Sequence, residues 1–400
     1  MKKSDFQEAM IKDSKFDSAT LWNCSFNSAN IVGCSFRLSK VSDSNFTNAE
    51  LMGVEFEEAT ASDSVFKNSE LINSKFGDSK FNHVDFSGSS IERANFNNTN
   101  LWRSDFTGAL IHAKFRHADL SGSTLDNITC KRNDLTGADI TRARLSDADL
   151  TESTLTDATA REAQLTGTTL ENTILTRVDL REASLIEADL YQTQLANVRI
   201  NNQTEFGREC SYDINKKSPG IAEEVSPLEA ATWVYRRLQK LHESHVIAEK
   251  AREYHILKEE AQRLDKKRDW EDSPIIWFRD YLVPTVSYHL HRHGESLSRL
   301  LGVSGALITV CGIIYVLAGV ARSNPETTYQ LTQADLTSIG AIATDLINGL
   351  YFSIITFSTI GYGDFYPASP VSRLLVGIES LAGALFIALF VFVLGRRVAR

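Results

Sequence analysis

From Phe6 onward an apolar residue returns every five positions, and few folds can absorb that period. The series runs Phe6, Ile11, Phe16, Leu21, Phe26, Ile31, Phe36, Val41, Phe46, Leu51 and Phe56. With Ala61 as a weak member it continues through Phe106 and Ile111, slips by one residue, and resumes at Phe115, Leu120, Leu125, Cys130, Leu135, Ile140, Leu145 and Leu150. It ends near Leu195 and Ile200. A helical stripe loses this phase within two turns, and strand alternation fails at once. A short fixed period held over half of a 400-residue chain is the mark of a solenoid. Two residues before each centre stands a small or β-branched residue, as at Ala9, Ala19, Cys24, Ala29, Cys34, Ala138, Ala148 and Ala188.

The units Ala118-Asp119-Leu120, Ala138-Asp139-Ile140, Ala148-Asp149-Leu150 and Ala188-Asp189-Leu190 resemble the pentapeptide-repeat family. The resemblance implies a right-handed quadrilateral β-helix over residues 1–205, with four pentapeptides per coil. The centre and the residue two before it then point inward, and the narrow interior demands small side chains at the second place. About 200 residues at about 20 per coil give about ten coils, and ~4.8 Å per coil makes a rod near ~48 Å long. Phenylalanine centres recur every ten residues in the first half, so they should stack in two columns on opposite faces. The slip between Leu110 and Phe115 reads as a local corner adjustment, which solenoids tolerate.

Charge narrows the rod's role. Residues 1–200 hold 21 Lys and Arg against 29 Asp and Glu, a net −8 of the chain's −9. Some members of the family mimic DNA, but here both signs are interspersed, as on an ordinary solvated surface. There is no basic stripe, so nucleic acid is not an expected partner. A cytoplasmic scaffold, docking surface or regulatory domain, with a cytoplasmic protein partner, is the expectation.

Residues 201–225 contain Gly207 and Lys216-Lys217-Ser218-Pro219-Gly220 and few apolar residues; residues 206–225 therefore read as a linker. Ser226-Pro227 opens a helix, with Ser226 as N-cap and Pro227 at the first helical position. Leu228, Ala231, Val234, Leu238 and Leu241 mark one apolar face; Ala248, Ala251, Tyr254, Leu257, Ala261 and Leu264 mark a second. Residues 226–268 are expected to form a helical hairpin, faintly like a tetratricopeptide unit, with a tetrameric coiled coil as the alternative. Residues 269–298 mix Trp270, Trp277, Phe278, Tyr281 and Tyr288 with charges, which suits an amphipathic helix at the bilayer surface, kinked at Pro284. His289, His291 and His293 scatter on a helix and lack joining carboxylates or cysteines, so a solvated or headgroup-facing cluster is preferred to a metal site.

Residues 299–400 carry the second signature. Val303 to Ala321 is an uncharged apolar run, and Leu374 to Leu394 is another, interrupted only by Glu379. Each approaches the ~20 residues a membrane helix needs. Between them Leu346 to Phe357 is too short to span but long enough for a re-entrant helix. It leads into Thr359-Ile360-Gly361-Tyr362-Gly363-Asp364. Backbone carbonyls can replace the water of a dehydrated potassium ion when four such strands face one axis. Alternate glycines allow conformations that a Cβ forbids. This region resembles a two-transmembrane potassium channel pore. The resemblance implies a homotetramer in which carbonyls of Thr359, Ile360, Gly361 and Tyr362 hold potassium, with Gly363 completing the filter. Ser358, Asp364 and Glu379 are filter-adjacent. Glu379 is expected to be a hydrogen-bonded brace to the pore helix rather than an ion site.

For gating the reading singles out Gly377, Gly383, Phe386, Phe390 and Leu394. Gly383 is either a hinge or a packing glycine. Phe386, Phe390 and Leu394 lie four residues apart, and form either a hydrophobic constriction or a lipid-facing stripe. Arg292 and Arg299 precede the first span and Arg396, Arg397 and Arg400 follow the second, against Arg322 and Arg373 on the other side, so both termini should be cytoplasmic in a multi-pass cell-membrane protein. The chain begins directly with repeat material, so no cleavable signal is expected. The five cysteines, at 24, 34, 130, 210 and 311, are scattered and read as inert thiols. No phosphate loop, nucleophile motif, metal spacing, Rossmann fingerprint or voltage-sensing arginine run is present, so neither an enzyme nor a cofactor beyond potassium ions is expected. The expected architecture is multidomain: β-helix, helical linker region and two-transmembrane pore with a re-entrant helix. The function read from it is a potassium-selective channel subunit regulated or scaffolded by its rod; the alternative is a membrane-anchored repeat scaffold with little conduction.

Overall fold

The computed structural model describes residues 2–266, 278–291, 296–322, 328–329 and 339–398. The chain divides into two compact units, residues 1–265 and 266–400.

The first unit is built on a parallel β-solenoid. Asp5 bridges Ser25, Met10 bridges Asn30, Lys15 bridges Ser35 and Thr20 bridges Lys40, so each coil has four sides and lies on the coil before it. The bridges continue to the pair Ser184 and Glu205. One side of the early coils is regular enough to form a six-stranded parallel sheet: β1 (Met10–Lys12), β2 (Asn30–Val32), β3 (Glu50–Met52), β4 (Glu70–Ile72), β5 (Ser90–Asn95) and β6 (Leu110–Lys114). Phe6 N–H donates up the ladder to Ser25 O (2.7 Å), and Ser25 N–H donates back to Ser4 O (3.0 Å). Corners are made two residues after each centre, where Glu8, Asp13, Ser18 and Asn23 take φ of 57°, 45°, 59° and 56°. A side chain in that region costs roughly 1–2 kcal/mol per residue. It is held there by ladder bonds on both flanks.

The interior follows the five-residue period. Phe26 stacks on Phe46 with centroids 4.6 Å apart, and Phe16 stacks on Phe36 at 4.7 Å. The two columns meet edge to face, as Phe26 and Phe36 do at 6.1 Å and 85°. Each such pair adds about 0.5–1.5 kcal/mol beyond area burial. The small inward position does more than fit a narrow space. Where it is Ser or Thr, the hydroxyl can donate to a carbonyl of the preceding coil, as Ser104 to Phe81 O (2.8 Å), Ser153 to Cys130 O (2.7 Å) and Thr168 to Leu145 O (2.8 Å), or to the carbonyl three residues back in its own coil, as Ser69 to Phe66 O (2.6 Å) and Ser89 to Phe86 O (2.6 Å). All five cysteines are buried and unpaired to one another, and burial pushes the Cys130 thiol up to about 12.

The slip is resolved at β5 and β6. Glu92 still pairs with His112, but Ala94 pairs with Ala113, with a bulge between Glu92 and Ala94. Asn133 from the next coil fills the corner left by the missing residue. Its Oδ1 accepts Ala113 N–H (2.5 Å), and its Nδ2 donates to Ile111 O (2.8 Å) and Lys131 O (3.0 Å).

Residues 206–225, expected to be a linker, are instead folded onto the solenoid. They include α1 (Ser211–Asn215), with Tyr212 fully buried. Tyr212 OH donates to Glu171 (3.0 Å), and the same carboxylate accepts Gly220 N–H (2.9 Å) and Ile221 N–H (3.0 Å). The composition misled because these polar residues are satisfied by partners some 40 to 50 positions away. The helices α2 (Pro227–Ser244) and α3 (Ala248–Asp265) form a hairpin that shares the solenoid's core cluster. Ser226 caps α2 by accepting Glu229 N–H (3.0 Å), with Pro227 opening the helix. Tyr235 OH donates to Asp213 (3.0 Å) and accepts Cys210 N–H (3.1 Å), while Tyr254 OH donates to Gly207 O (2.8 Å). The hairpin thus closes the last coils of the solenoid rather than forming a separate coiled coil.

In the second unit, a π-helical turn at Phe278–Leu282 runs into α4 (Val283–His291). Trp270, Trp277, Arg292 and His293 lie outside the described residues, as do Pro325, most of the polar segment after Arg322, and Arg400. Among the described residues, two helices are long and apolar enough to cross a membrane: α5 (Leu297–Ala318), and α7 (Pro370–Val398), of which residues 370–395 qualify. Between them lies α6 (Ile339–Phe357), longer than the expected helix from Leu346. Its apolar stretch begins at Ile342; Thr344 and Asp345 interrupt it just before Leu346, which set the expected start too late. A small antiparallel sheet, β7 (Val320–Arg322), β8 (Thr328–Tyr329) and β9 (Phe365–Pro367), joins the end of α5 to the segment leading into α7.

Candidate functional site

The site is the segment that follows α6. Ser358 N–H donates to Ile354 O (2.9 Å) and Ile360 N–H to Ile355 O (3.0 Å), so the chain leaves the helix tied to its last turn. It then takes positive φ at every second residue: Thr359 at 57°, Gly361 at 53° and Gly363 at 76°. Ile360 and Tyr362 lie outside that region. In an ordinary strand successive carbonyls alternate sides. Reversing the sign of φ at every second residue departs from that pattern. Nothing lies within 4 Å of where a Cβ would sit on Gly361 or Gly363, so the glycines are needed for conformation rather than for space. Thr359 holds the same region without that freedom, a strained position of the kind found at functional sites. The side chains of Ile360 and Tyr362 are 55% and 71% exposed in the single chain.

Two sets of contacts hold this segment, and a third joins the helices around it. At its far end Tyr351 OH, on α6, donates to Asp364 Oδ2 (2.8 Å), and Tyr351 also meets the Phe365 ring at 5.6 Å. Ser358 turns its hydroxyl back to Ile354 O (2.6 Å). Between the three helices, Glu379 is buried on α7 and accepts Tyr315 OH from α5 (2.6 Å) and the Ser353 hydroxyl from α6. Ser353 is also within 2.8 Å of Ile308 O, so one carboxylate joins all three helices. An ionisable group at such depth requires partners of this kind.

Close packing fixes the helix crossings. A methyl on Gly349 would overlap the Gly312 carbonyl oxygen and Val316, and a methyl on Gly312 would stand 3.0 Å from Leu350 Cα. Small residues let membrane helices approach in this way. Gly383 presses its backbone against the Phe357 carbonyl, where any Cβ would overlap, whereas Gly377 faces open space. Phe386 is buried and meets the Phe357 ring at 5.7 Å, and Phe390 packs on the same cluster with Leu300 and Val393. Only Leu394 of that trio is substantially exposed, at 43%. Within the single chain the three residues are thus unequally exposed, because the base of α6 and the start of α5 draw the two rings inward.

Sequence reasoning singled out the glycines, Asp364 and Glu379, and did not name Tyr315, Ser353, Tyr351, Gly312 or Gly349. The buried carboxylate was the available signal: it calls for hydroxyl donors on the facing helices, and both helices carry one. No group of three or more metal-binding side chains occurs among the described residues.

The first unit is a repeat solenoid, and the second holds two helices long and apolar enough to cross a membrane among its described residues. Residues 302–400 match the family described as ion channel. Residues 39–113 match the pentapeptide repeat region family, and residues 113–151, 134–172 and 163–202 match pentapeptide repeats. The chain thus carries a two-transmembrane ion-channel domain and N-terminal pentapeptide repeats. Among solved structures it is similar to HetL, a pentapeptide repeat protein involved in heterocyst differentiation regulation from the cyanobacterium Nostoc sp. strain PCC 7120, at 21% identity over 51% of this chain and 88% of that one, TM-score 0.30. It is similar to a pentapeptide repeat protein of the Arabidopsis thaliana thylakoid lumen at 32% identity over 24% of this chain and 63% of that one, TM-score 0.14. A comparison with curated proteins gave no match.

Proposed function

We propose that the chain is one subunit of a tetrameric, potassium-selective channel of the cell membrane, with both termini in the cytoplasm and the repeat rod acting as a scaffold or gating domain. The observation that carries the reading is the alternation of backbone handedness at Thr359, Gly361 and Gly363, immediately after a short apolar helix. Four such segments around an axis supply rings of carbonyl oxygens to an ion that has lost its water. One chain supplies a single strand of that cage, and the exposure of Ile360 and Tyr362 fits side chains awaiting neighbouring subunits. The apolar faces left exposed on α5 and α7, such as Leu317, Leu381 and Val391, fit a surface covered by lipid and other subunits. Glu379 and Asp364 then act as braces that position the carbonyls without touching the ion.

Potassium uptake into liposomes holding the purified protein tests the proposal. Wild type should take up potassium over sodium, and Gly361→Ala should lose the uptake, because a Cβ at φ 53° is strained and the carbonyl must rotate. Uptake in the variant equal to wild type would remove the filter from the account. Silence of the wild type in an intact tetramer would favour a membrane-anchored scaffold.

A further inference from the structure

A cleft of about 680 Å³ opens between the last coil of the solenoid and helix α2, both within the first unit. Small-molecule sites usually span about 300–1,000 Å³. Its charge runs against the rest of the rod. Arg199, Arg237, Lys240 and His245 line it, and no Asp or Glu is among its described lining residues. Elsewhere the rod's cations are commonly paired with carboxylates: Arg132 with Glu152, Arg142 with Glu162, Arg177 with Asp157, Lys75 with Glu55. Among the described residues Arg199, Arg237 and Lys240 form no ion pair; Arg237 only lies over the Trp233 ring at 5.0 Å.

The end of the solenoid adds a second set of donors. One coil earlier, Leu175 and Arg177 N–H groups donate to Gln194 O (3.0 Å) and Ala196 O (2.8 Å). The equivalent positions of the terminal coil are Leu195 and Asn197, which line the cleft and make no main-chain bond to a further coil among the described residues. Edge donors of this kind are left for a ligand or water. The cleft therefore offers main-chain N–H groups on one wall, guanidinium and ammonium groups around it, and apolar surface from Trp233 and Leu241. It has donors and positive charge without a carboxylate to neutralise them. Arginine forks and backbone N–H groups together suit the oxygens of a phosphoryl group.

We propose that this cleft binds a phosphorylated small molecule of nucleotide size, with its phosphoryl oxygens on Arg199, Arg237, Lys240 and the terminal-coil N–H groups and its organic part against Trp233. Such a ligand would join the rod's last coil to α2, at the junction between the repeats and the helical hairpin. Binding can be read whether or not the pore conducts.

The test is calorimetric titration of the full-length protein in detergent with ATP, pyrophosphate and citrate at constant ionic strength. ATP or pyrophosphate should saturate one site per chain. Arg199→Gln and Lys240→Gln together should weaken binding by about tenfold or more, as expected for loss of charge-assisted hydrogen bonds. Both side chains are exposed, so the melting temperature should not change, and Lys80→Gln, at an exposed position in an earlier coil, should bind as wild type does. Absence of saturable binding of ATP and pyrophosphate up to millimolar concentration would overturn the proposal. So would equal binding by the double variant, or citrate binding as tightly as the phosphates, which would mark a carboxylate site.

Discussion

Replacing Asn133 by alanine should open the rod at one place. The side chain is only 3% exposed and sits where the repeat loses a residue. Truncation leaves Ala113 N–H and Ile111 O, both in a buried corner, without their partner. Lys131 O loses a donor as well. A buried polar group left unsatisfied costs about 1–3 kcal/mol, so the two deeper groups together cost about 3 kcal/mol. At 1.4 kcal/mol per tenfold this is roughly a 100-fold rise in local opening. Hydrogen–deuterium exchange of the full chain, read in peptides covering residues 109–116, is the assay, since exchange reports local opening. The control is Asn97→Ala, which removes the Oδ1 that accepts Arg116 N–H (3.0 Å) at the exposed surface. The reasoning fails if exchange over residues 109–116 is no faster in Asn133→Ala than in that control.

Other outcomes follow from the same contacts. Glu171→Ala should free the folded segment after the solenoid, because it removes the acceptor of Tyr212 OH and of the Gly220 and Ile221 N–H groups; trypsin cleavage at Lys216 and Lys217 should speed up, and an unchanged digestion pattern would contradict this. Burial holds the His242 imidazole below its usual value of 6.5, with Lys250 and His245 adding to the effect. The unfolded chain therefore takes up the proton first, and stability should fall as pH drops through about 6.5. Denaturant melts at pH 7 and 5.5 should show a smaller pH effect in His242→Leu than in wild type, and equal effects would count against the assignment. Gly383→Ala should destabilise the detergent-solubilised protein through overlap with the Phe357 carbonyl, whereas Gly377→Ala should be neutral or slightly stabilising, a helical Gly→Ala change being worth up to about 1 kcal/mol. Equal melting temperatures for the two variants would show that the Gly383 contact is not restrictive.

Much of the fold was legible because its determinants are periodic. The centres from Phe6 to Phe115 announce both the coil and its two aromatic columns, and no partner distant in sequence has to be guessed. The pore module was legible because a bilayer imposes length and apolarity on α5 and α7. What stayed hidden depends on single pairings between distant positions. Asn133 looks like one more repeat residue until its coil is laid on Ile111 and Ala113. Residues 206–225 look like a linker because Glu171, which holds them, stands 40 to 50 positions away. In the site, spacing grouped Phe386, Phe390 and Leu394, but helical spacing fixes only a face; packing against Phe357 decided which members of that face are buried. Tyr351 and Tyr315 carry no signal of their roles in the sequence, since a hydroxyl's partner cannot be read from its own segment.

The central claim is that carbonyls between Thr359 and Tyr362 select potassium. The most direct measurement is the reversal potential of the purified protein in a planar bilayer with potassium on one side and sodium on the other. The account predicts a potential displaced strongly toward the potassium equilibrium value, and loss of current in Gly361→Ala. A current that reverses near zero would contradict it, because such a pore would pass both ions alike.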